Sequence, residues 1–151
     1  MGLYKYSIKT DAKKNACAQG HDWNASYKDL ANVCRAVKNK GVKQAREILE
    51  NVISMKMPIA FVVHNKGVGH RSQLGGKKGR FPKKEAKLFL RLLNDCVANG
   101  TQKGLSEEKL FLAHAAANRQ NSLRRHRKFF ASSATLGYGK HAVWSNYETC
   151  R

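Results

Sequence analysis

The stretch 64-HNKGVGHRSQLGGKKGRFPKKEAKLFLRLLND-95 joins a basic, glycine-rich segment to a periodic apolar pattern. Its first part, residues 65–80, lacks apolar periodicity, which predicts a long loop of the kind that is usually functional or mobile. Its second part begins a helix at Phe81-Pro82, because the missing N–H of Pro82 would have no helical partner there. Asn99-Gly100 is predicted to end this helix. Its apolar side consists of Ala86, Phe89, Leu90, Leu93, Cys96 and Val97.

Two further helices are predicted upstream of this stretch. Ser26 followed by Asp29 is typical of a helix start that resembles a capping box, and Gly41 is predicted to end this first helix. Its apolar stripe consists of Tyr27, Leu30, Ala31, Cys34 and Val37. A second helix follows Gly41 at once and ends before Pro58. Its apolar face consists of Val42, Ala45, Ile48, Leu49, Val52 and Ile53.

Short runs of β-forming residues predict strands on both sides of the helices. Residues 4–8 alternate weakly, and residues 59–64 form an apolar run of strand length. Residues 109–120 alternate between two faces, and residues 142–148 are rich in β formers. We expect the last two runs to pair as an antiparallel hairpin with a very long connection. No repeat or linker divides the chain, so residues 1–151 are predicted to form a single domain.

The chain is strongly basic, with 29 Lys and Arg against 10 Asp and Glu and a formal net charge of +19. Such a charge repels itself, so the compact state needs counter-charge from a polyanion. Nucleic acid is the leading candidate, because phosphate arrays bind many Lys and Arg side chains at once. An anionic membrane surface is the second candidate, but the sequence has no apolar run of membrane-spanning length.

The cations are concentrated in two tracts that contain no Asp or Glu, one between Glu50 and Glu85 and the other between Glu108 and Glu148. A solvated face of mixed charge would intersperse Glu among the cations. The first tract contains Lys56, Lys66, Arg71, Lys77, Lys78, Arg80, Lys83 and Lys84. The second contains Lys109, Arg119, Arg124, Arg125, Arg127, Lys128 and Lys140. Two such tracts favour contact with nucleic acid over a merely solvated basic surface.

The residue types in these tracts suit RNA. Arginine binds phosphate with a planar fork and stacks on bases. The glycines of residues 67–80 allow backbone N–H groups to approach phosphates closely. Aromatic residues that are able to stack on unpaired bases interleave with the cations. They are Phe81, Phe129, Phe130 and Tyr138.

The segment 118–142 connects the last two predicted strands. If its residues continue both strands, the hairpin extends roughly 30 Å from the body at about 3.3 Å per residue. A two-stranded ribbon of this kind is marginal in water, so it needs a surrounding surface, and its Arg-rich flank indicates that the surface is anionic. Residues 132–137 are small and uncharged, which suits a tip that faces something other than phosphate. A surface loop without regular structure remains the alternative.

The sequence shows no pattern of a catalytic or metal site. Cys17, Cys34, Cys96 and Cys150 have neither C-x-x-C spacing nor a zinc-finger pattern with His, so we expect free thiols, no metal and no cofactor. The histidines are scattered, and Glu107-Glu108 are interpreted as a solvated turn or the start of a short helix. No nucleophile, base and orienting group can be assembled, so we expect no enzyme.

Residues 64–95 resemble the universal large-subunit ribosomal protein twenty-two family in its archaeal and eukaryotic form, which is number seventeen in the eukaryotic count. The most telling segments are Gly67-Val68-Gly69-His70 and Gly79-Arg80-Phe81-Pro82-Lys83-Lys84, which lead into an apolar helix. Similar segments elsewhere are Tyr6-Ser7-Ile8 and Gly41-Val42-Lys43-Gln44-Ala45. With the order of elements, the likeness covers about residues 4–149.

The resemblance implies an α+β fold, in which three helices pack on a small antiparallel sheet and a long β-hairpin, residues 118–142, protrudes. It implies a structural constituent of the large ribosomal subunit that binds rRNA, supports assembly and lines the peptide exit tunnel with its hairpin tip. The implied partners are large-subunit rRNA, neighbouring large-subunit proteins and the nascent polypeptide, with no membrane and no homo-oligomer. A cytoplasmic location agrees with the first residues, which lack an apolar core of signal-peptide length.

The resemblance also implies roles for individual residues. The residues expected to bind RNA are His70, Arg71, Lys77, Lys78, Arg80, Lys83, Lys84, Arg119, Arg124, Arg125, Arg127, Lys128 and Lys140. The residues expected to line the tunnel are Phe129, Phe130, Ala131, Ser132, Ser133, Ala134 and Thr135. The chain departs from the family at this tip, where members usually carry further basic residues. Two alternatives from other classes are a free-standing RNA- or DNA-binding regulator and a small basic nuclease.

Overall fold

The structure is a computed structural model of the chain, and it describes residues 14–122, 126–127, 137–138 and 143–149, with side chains over residues 14–119. The helices are α1 (Tyr27–Val37), α2 (Val42–Ile53) and α3 (Lys83–Gln102). The strands are β1 (Trp23–Asn24), β2 (Ile59–Ala60), β3 (His70–Arg71), β4 (Lys77–Arg80), β5 (Ala115–Ser122), β6 (His126–Arg127), β7 (Gly137–Tyr138) and β8 (Val143–Thr149). The predicted α+β class, with three helices and a small antiparallel sheet, is confirmed.

Helix α1 begins where the capping pattern predicts. The Ser26 side chain accepts a hydrogen bond from the backbone N–H of Asp29 at 3.4 Å, which satisfies one of the N–H groups left unpaired at a helix start. The end of α1 differs from the prediction, because Asn39, with a φ of 61°, rather than Gly41 takes the left-handed conformation after the helix. Gly41 instead occupies the N-cap position of α2.

The apolar stripes predicted for the helices form the core. Its largest fully buried side chains include Leu30 of α1, Leu49 of α2 and Phe89 of α3. Helix α3 was wrongly predicted to end at Asn99-Gly100, since it continues to Gln102. A Cβ at Gly100 would lie 3.3 Å from Leu110 Cδ1, so glycine is present there for close packing rather than for a left-handed turn.

The main sheet is antiparallel, with the order β1-β8-β5. Ser145 of the central strand β8 lies opposite Trp23 of β1 on one side and opposite Arg119 of β5 on the other. The pairing of β5 with β8 confirms the predicted pairing of the last two strands. The third strand is β1, a two-residue strand that was not predicted. The predicted strand at residues 4–8 lies outside the described residues.

The predicted strand at 109–120 is wrong in its first half. Residues 107–109 form a 3-10 turn, and strand β5 begins at Ala115. The intervening residues pair with the turn between α1 and α2 instead of the sheet: the carbonyl of Leu110 accepts from Val42 N at 3.2 Å, and that of Leu112 accepts from Asn39 N at 2.7 Å. Burial of Leu110 and Leu112 against the helices therefore overrides their strand-like alternation.

Residues 118–142 are described only in part. Strand β5 pairs with β8 as far as Ser122 and Val143, and β6 pairs with β7 at His126↔Tyr138 and Arg127↔Gly137. The residues predicted to form the tip lie outside the described part of the chain. The long protruding hairpin therefore stays a prediction.

A second sheet has the order β2-β4-β3, and its strands β3 and β4 lie in the segment 65–80 that was predicted to be a loop. Of the predicted strand 59–64, only Ile59–Ala60 form strand β2. Strand β4 pairs antiparallel with β2 on one side and with β3 on the other. The prediction of an unstructured loop at 65–80 is thus wrong, and this sheet positions the basic residues. Among the described residues, no helix has the length and apolar content to cross a membrane.

Candidate nucleic-acid interface

Strands β3 and β4 with their connection, residues 70–80, form what we call the basic hairpin. Arg71 lies opposite Lys77, and the connection is a 3-10 turn, Ser72–Leu74, followed by two glycines. Gly75 and Gly76 have φ values of 62° and 77°, a left-handed conformation that side chains disfavour. The glycines therefore close a tight connection that holds the two basic strands side by side.

Gly79 attaches the basic hairpin to the body of the protein. It lies opposite Ala60 in β2, and a Cβ at Gly79 would lie 2.8 Å from the carbonyl oxygen of Ile59. The same Cβ would also overlap the Leu74 side chain. Only glycine allows β4 to pack this closely, so the basic residues around it are fixed to the fold.

Two arginines of the basic hairpin are held in place by the protein and are nevertheless exposed. Arg71 donates from Nε to the Gly79 carbonyl at 3.2 Å, and its guanidinium lies 5.6 Å from the centre of the Phe81 ring. Arg80 donates to the Gly67 carbonyl at 3.4 Å and lies 6.0 Å from the centre of the Phe61 ring. Each guanidinium uses one of its five donors in this way, which leaves donors for an external phosphate.

The first turn of α3 extends the basic surface. Lys83 and Lys84 are exposed there, although cations near a helix N-terminus oppose the macrodipole and cost stability. Glu85 offsets part of this cost in the same turn; it is 8% exposed and accepts a hydrogen bond from Ser26 N at 3.3 Å. Two lysines in this unfavourable position are explained if an external polyanion interacts with them.

Helix α1 holds the chain that leads into the basic hairpin through one buried amide. Asn32 is 1% exposed, and its Nδ2 donates to the carbonyls of Lys28 at 2.9 Å and Val63 at 2.8 Å. Its Oδ1 accepts from the backbone N–H groups of Val62 at 3.2 Å and Val63 at 3.3 Å. The amide therefore replaces sheet hydrogen bonds for residues that extend beyond β2.

Two ion pairs lie towards the opposite end of α3. Among residues 14–119, the ion pairs of Lys and Arg with carboxylates are Lys43–Glu108 at 3.2 Å and Arg46–Glu107 at 3.3 Å. Both link α2 to the 3-10 turn at 107–109, which confirms a turn with a short helix at Glu107-Glu108. A helix of 20 residues spans about 30 Å, so these pairs are remote from the unpaired cations at its start.

The structure brings together part of the predicted RNA-binding set. His70, Arg71, Lys77, Lys78 and Arg80 lie on the basic hairpin. Lys83 and Lys84 follow on α3. Arg119 is exposed on β5, in the other sheet, and only the backbone of Arg127 is described.

The rest of the predicted site lies outside the described residues. This holds for Arg124, Arg125, Lys128 and Lys140, and for the whole predicted tunnel-lining set. Contacts of any of these residues with RNA or a nascent chain stay predictions.

Sequence reasoning missed Asn32 and the edge-on contact of the Tyr27 and His64 rings, whose centres lie 5.4 Å apart. A signal for Asn32 exists, because Asn in the middle of a helix is unfavourable unless its side chain has a specific partner. The ring contact depends on the left-handed backbone of His64, φ 55°, for which the sequence gives no signal.

Cys17, Cys34 and Cys96 form no disulfide with one another, and among the described residues no group of His, Cys, Asp and Glu is placed to hold a metal. Cys34 and Cys96 are buried in the core, as predicted for small apolar side chains, and Cys17 is partly buried. Burial raises the pKa of the Cys34 thiol from 9.0 to about 12. Such a thiol stays protonated at neutral pH and is a poor nucleophile.

The pKa of the Cys34 thiol in the folded protein exceeds the ordinary value of 9.0. Burial of the Cys34 thiol therefore stabilises the fold below pH 9, and that contribution is lost as the pH rises towards 12.

We expect iodoacetamide at pH 8.5 to modify Cys34 much more slowly than Cys17 in the folded protein, because only the thiolate reacts. Peptide mass spectrometry measures the two rates, with urea-unfolded protein as the control in which they converge. Equal rates in the folded state would contradict the burial of Cys34.

Comparison with known proteins identifies the family. A family model described as ribosomal protein L22p/L17e matches residues 18–131, which include the basic hairpin and all three helices. Large ribosomal subunit protein uL22 of Methanocaldococcus jannaschii is 37% identical over 127 residues, which are 83% of this chain and 81% of that protein. Its counterpart in Archaeoglobus fulgidus is 38% identical over 83% of both chains. The resemblance inferred from the sequence is therefore confirmed, and the chain belongs to the ribosomal protein L22p/L17e family.

Proposed function

We propose that this chain is a structural constituent of the large ribosomal subunit and that it binds large-subunit rRNA through the basic hairpin and the first turn of α3. The observation that carries the proposal is the fixed, exposed position of Arg71 and Arg80, next to two lysines at a helix N-terminus. Residues 14–119 provide no ion pair with a carboxylate for any of these four side chains. An array of phosphates supplies the missing counter-charge.

The absence of catalysis follows from the family, whose members are structural components of the ribosome rather than enzymes. A nuclease is therefore not retained as an alternative. A cytosolic, ribosome-bound location and contacts with neighbouring large-subunit proteins belong to the same proposal.

We further propose that residues 118–142 form the long hairpin and that Phe129–Thr135 line the peptide exit tunnel. Antiparallel pairs on either side of residues 123–125 support this proposal, since β5 pairs with β8 and β6 pairs with β7. The Arg-rich composition of the segment and its small, uncharged residues 132–137 support it as well.

Sucrose-gradient sedimentation of a cell lysate tests the ribosomal role. We expect the tagged protein to sediment with large subunits at low salt. Replacement of residues 122–140 by a short turn is expected to leave the protein folded, because residues 14–119 already form a hydrophobic core, but to reduce its incorporation into subunits.

Circular dichroism and thermal unfolding of both purified forms provide the control for this test. Wild-type protein that stays at the top of the gradient would favour a free-standing RNA-binding regulator. Loss of folded protein on replacement of residues 122–140 would show instead that the segment belongs to the core.

A further inference from the structure

A cavity of about 470 Å³ opens between the start of α1, the segment that follows β2, and the end of β4. Its lining includes Lys28, Asp29, His64, Asn65, Lys66 and Arg80. The volume lies in the range of about 300–1,000 Å³ that is usual for small-ligand sites. The residues combine cations, one carboxylate, an imidazole and an amide, so the cavity differs from the surrounding surface, which carries mainly cations.

The cations of the cavity suit one phosphate group. Lys28 and Lys66 are exposed at its rim, and Arg80 is held by the Gly67 carbonyl and the Phe61 ring. A guanidinium fixed in this way binds phosphate without losing much further rotamer freedom. Because Arg80 is also part of the basic hairpin, a phosphate here continues the phosphate path proposed for that surface.

The imidazole of His64 suits a base. Its ring packs edge-on against Tyr27, with an angle of 76° between the ring planes, and the residue is exposed. Its φ of 55° is uncommon outside glycine and costs free energy, which indicates that the surrounding structure imposes this position. The hydrogen bonds of Asn32 to Val62 and Val63 fix the preceding backbone. Stacking of an unpaired base on an aromatic ring is worth about 1–3 kcal/mol in single-stranded RNA binding.

The carboxylate of Asp29 is the unusual member of the set. Its backbone N–H is bonded to Ser26, but within residues 14–119 the carboxylate has no hydrogen-bond or ion-pair partner. A carboxylate repels phosphate and accepts hydrogen bonds only, so it favours a ligand group with several N–H donors. Guanine offers two adjacent donors, N1–H and the N2 amino group, on its Watson–Crick edge. The two carboxylate oxygens match this pair.

We infer that this cavity binds a single unpaired guanosine nucleotide of RNA. The phosphate lies among Lys28, Lys66 and Arg80, the base stacks on His64, and its Watson–Crick edge donates to Asp29. The inference rests on the proposed rRNA-binding function and adds a base-specific contact to a surface that otherwise recognises only phosphates.

Binding of short RNAs to the purified full chain tests the inference without ribosomes. The probes are dye-labelled uridine heptamers with a central guanosine, inosine or uridine, measured by fluorescence anisotropy at about 200 mM salt, where phosphate binding is weakened. We expect the guanosine probe to bind about tenfold more tightly than the uridine probe, as for one good bidentate contact. Inosine lacks the N2 amino group and should lose most of the preference.

Variants separate the contact with Asp29 from general effects of charge. Asp29→Asn should abolish the preference for guanosine, whereas Asp95→Asn, which removes the same charge from the exposed surface of α3, should retain it. His64→Ala should weaken binding of all three probes. Thermal unfolding identifies any variant that fails to fold, and Asn65→Ala then provides a second change in the same cavity, which should reduce the preference.

Equal affinity of the wild type for the guanosine and uridine probes would overturn the inference, as would a preference that survives in Asp29→Asn. Free guanosine monophosphate contains the same base and phosphate as the nucleotide inferred to bind in the cavity, so it serves as a competitor. We expect it to compete weakly, because it lacks the adjoining phosphates. Competition as strong as that of the heptamer would assign the cavity to free nucleotides instead of RNA. Failure of sedimentation with subunits would leave these results unchanged, so the two proposals are tested separately.

Discussion

Replacement of Asn32 by alanine is expected to lower the free energy of unfolding by about 3 kcal/mol, because several backbone groups lose their hydrogen-bond partner at once. The side chain is 1% exposed and makes hydrogen bonds with Lys28, Val62 and Val63. Its removal leaves backbone groups without partners, at a cost of about 1–3 kcal/mol for each group that water does not reach. The exposed side chains of Val62 and Val63 indicate that water reaches part of this segment, so the total loss of unfolding free energy is smaller than the sum of the costs of the separate groups.

Urea unfolding followed by circular dichroism measures this loss. The matched control is Asn94→Ala on α3, where the exposed amide accepts one hydrogen bond from Arg46 at 3.2 Å. We expect the control to change the free energy of unfolding by less than about 0.5 kcal/mol, as is usual for surface sites. A similar, small effect of both substitutions would show that the Asn32 amide does not hold residues 62–63.

Asn32 also connects stability with function. Residues 62–66 lead from β2 to the basic hairpin, and they are held to α1 by this amide. If Asn32→Ala still folds at low temperature, its affinity for rRNA should decrease, because the cations that follow lose their fixed position. The Asn94→Ala control should bind rRNA like the wild type.

The helices are predictable from the sequence because their signals are local. Apolar residues at helical spacing, such as Leu30, Cys34 and Val37, were assigned to a buried face and are buried. The Ser26 cap is a contact within one turn, so its residues are visible side by side in the sequence. The end of α3 was missed because Gly100 has a packing role that depends on Leu110, beyond the end of the helix, and on Ala16, near the start of the chain.

The basic hairpin was missed although β3 and β4 are close in sequence, because β4 is also paired with the more distant strand β2. Strand β4 is only four residues long, and it pairs with Ile59–Ala60 as well as with His70–Arg71. Its sequence, Lys77-Lys78-Gly79-Arg80, lacks the alternation of a half-buried strand, since the glycine occupies the buried position. The structure places His70, Arg71 and the cations of β4 on one hairpin, an arrangement that the sequence alone did not indicate.

Replacement of Lys77, Lys83 and Lys84 together by glutamine is expected to weaken binding to large-subunit rRNA about a hundred-fold at 0.1 M salt. All three lysines are exposed on the basic hairpin and the first turn of α3. Each lysine that neutralises a phosphate releases counterions, so each loss should reduce the steepness of the salt dependence by about one unit of log K against log salt. Filter binding between 50 and 300 mM salt measures both quantities.

The matched control removes the same charge from the other end of the molecule. Lys38, Lys43 and Lys109 lie around the contact of the α1–α2 turn with residues 107–112, where Lys43 already pairs with Glu108. Their replacement by glutamine should change the affinity only a few-fold and leave the salt dependence nearly as steep as in the wild type. Equal losses in the two variants would mean that the total charge of the chain, rather than the basic hairpin with the start of α3, determines binding.

The replacement of Lys83 and Lys84 by glutamine should also raise the stability of α3, because these lysines oppose its macrodipole. Tighter folding together with weaker RNA binding is the combination that a surface selected for a polyanion predicts.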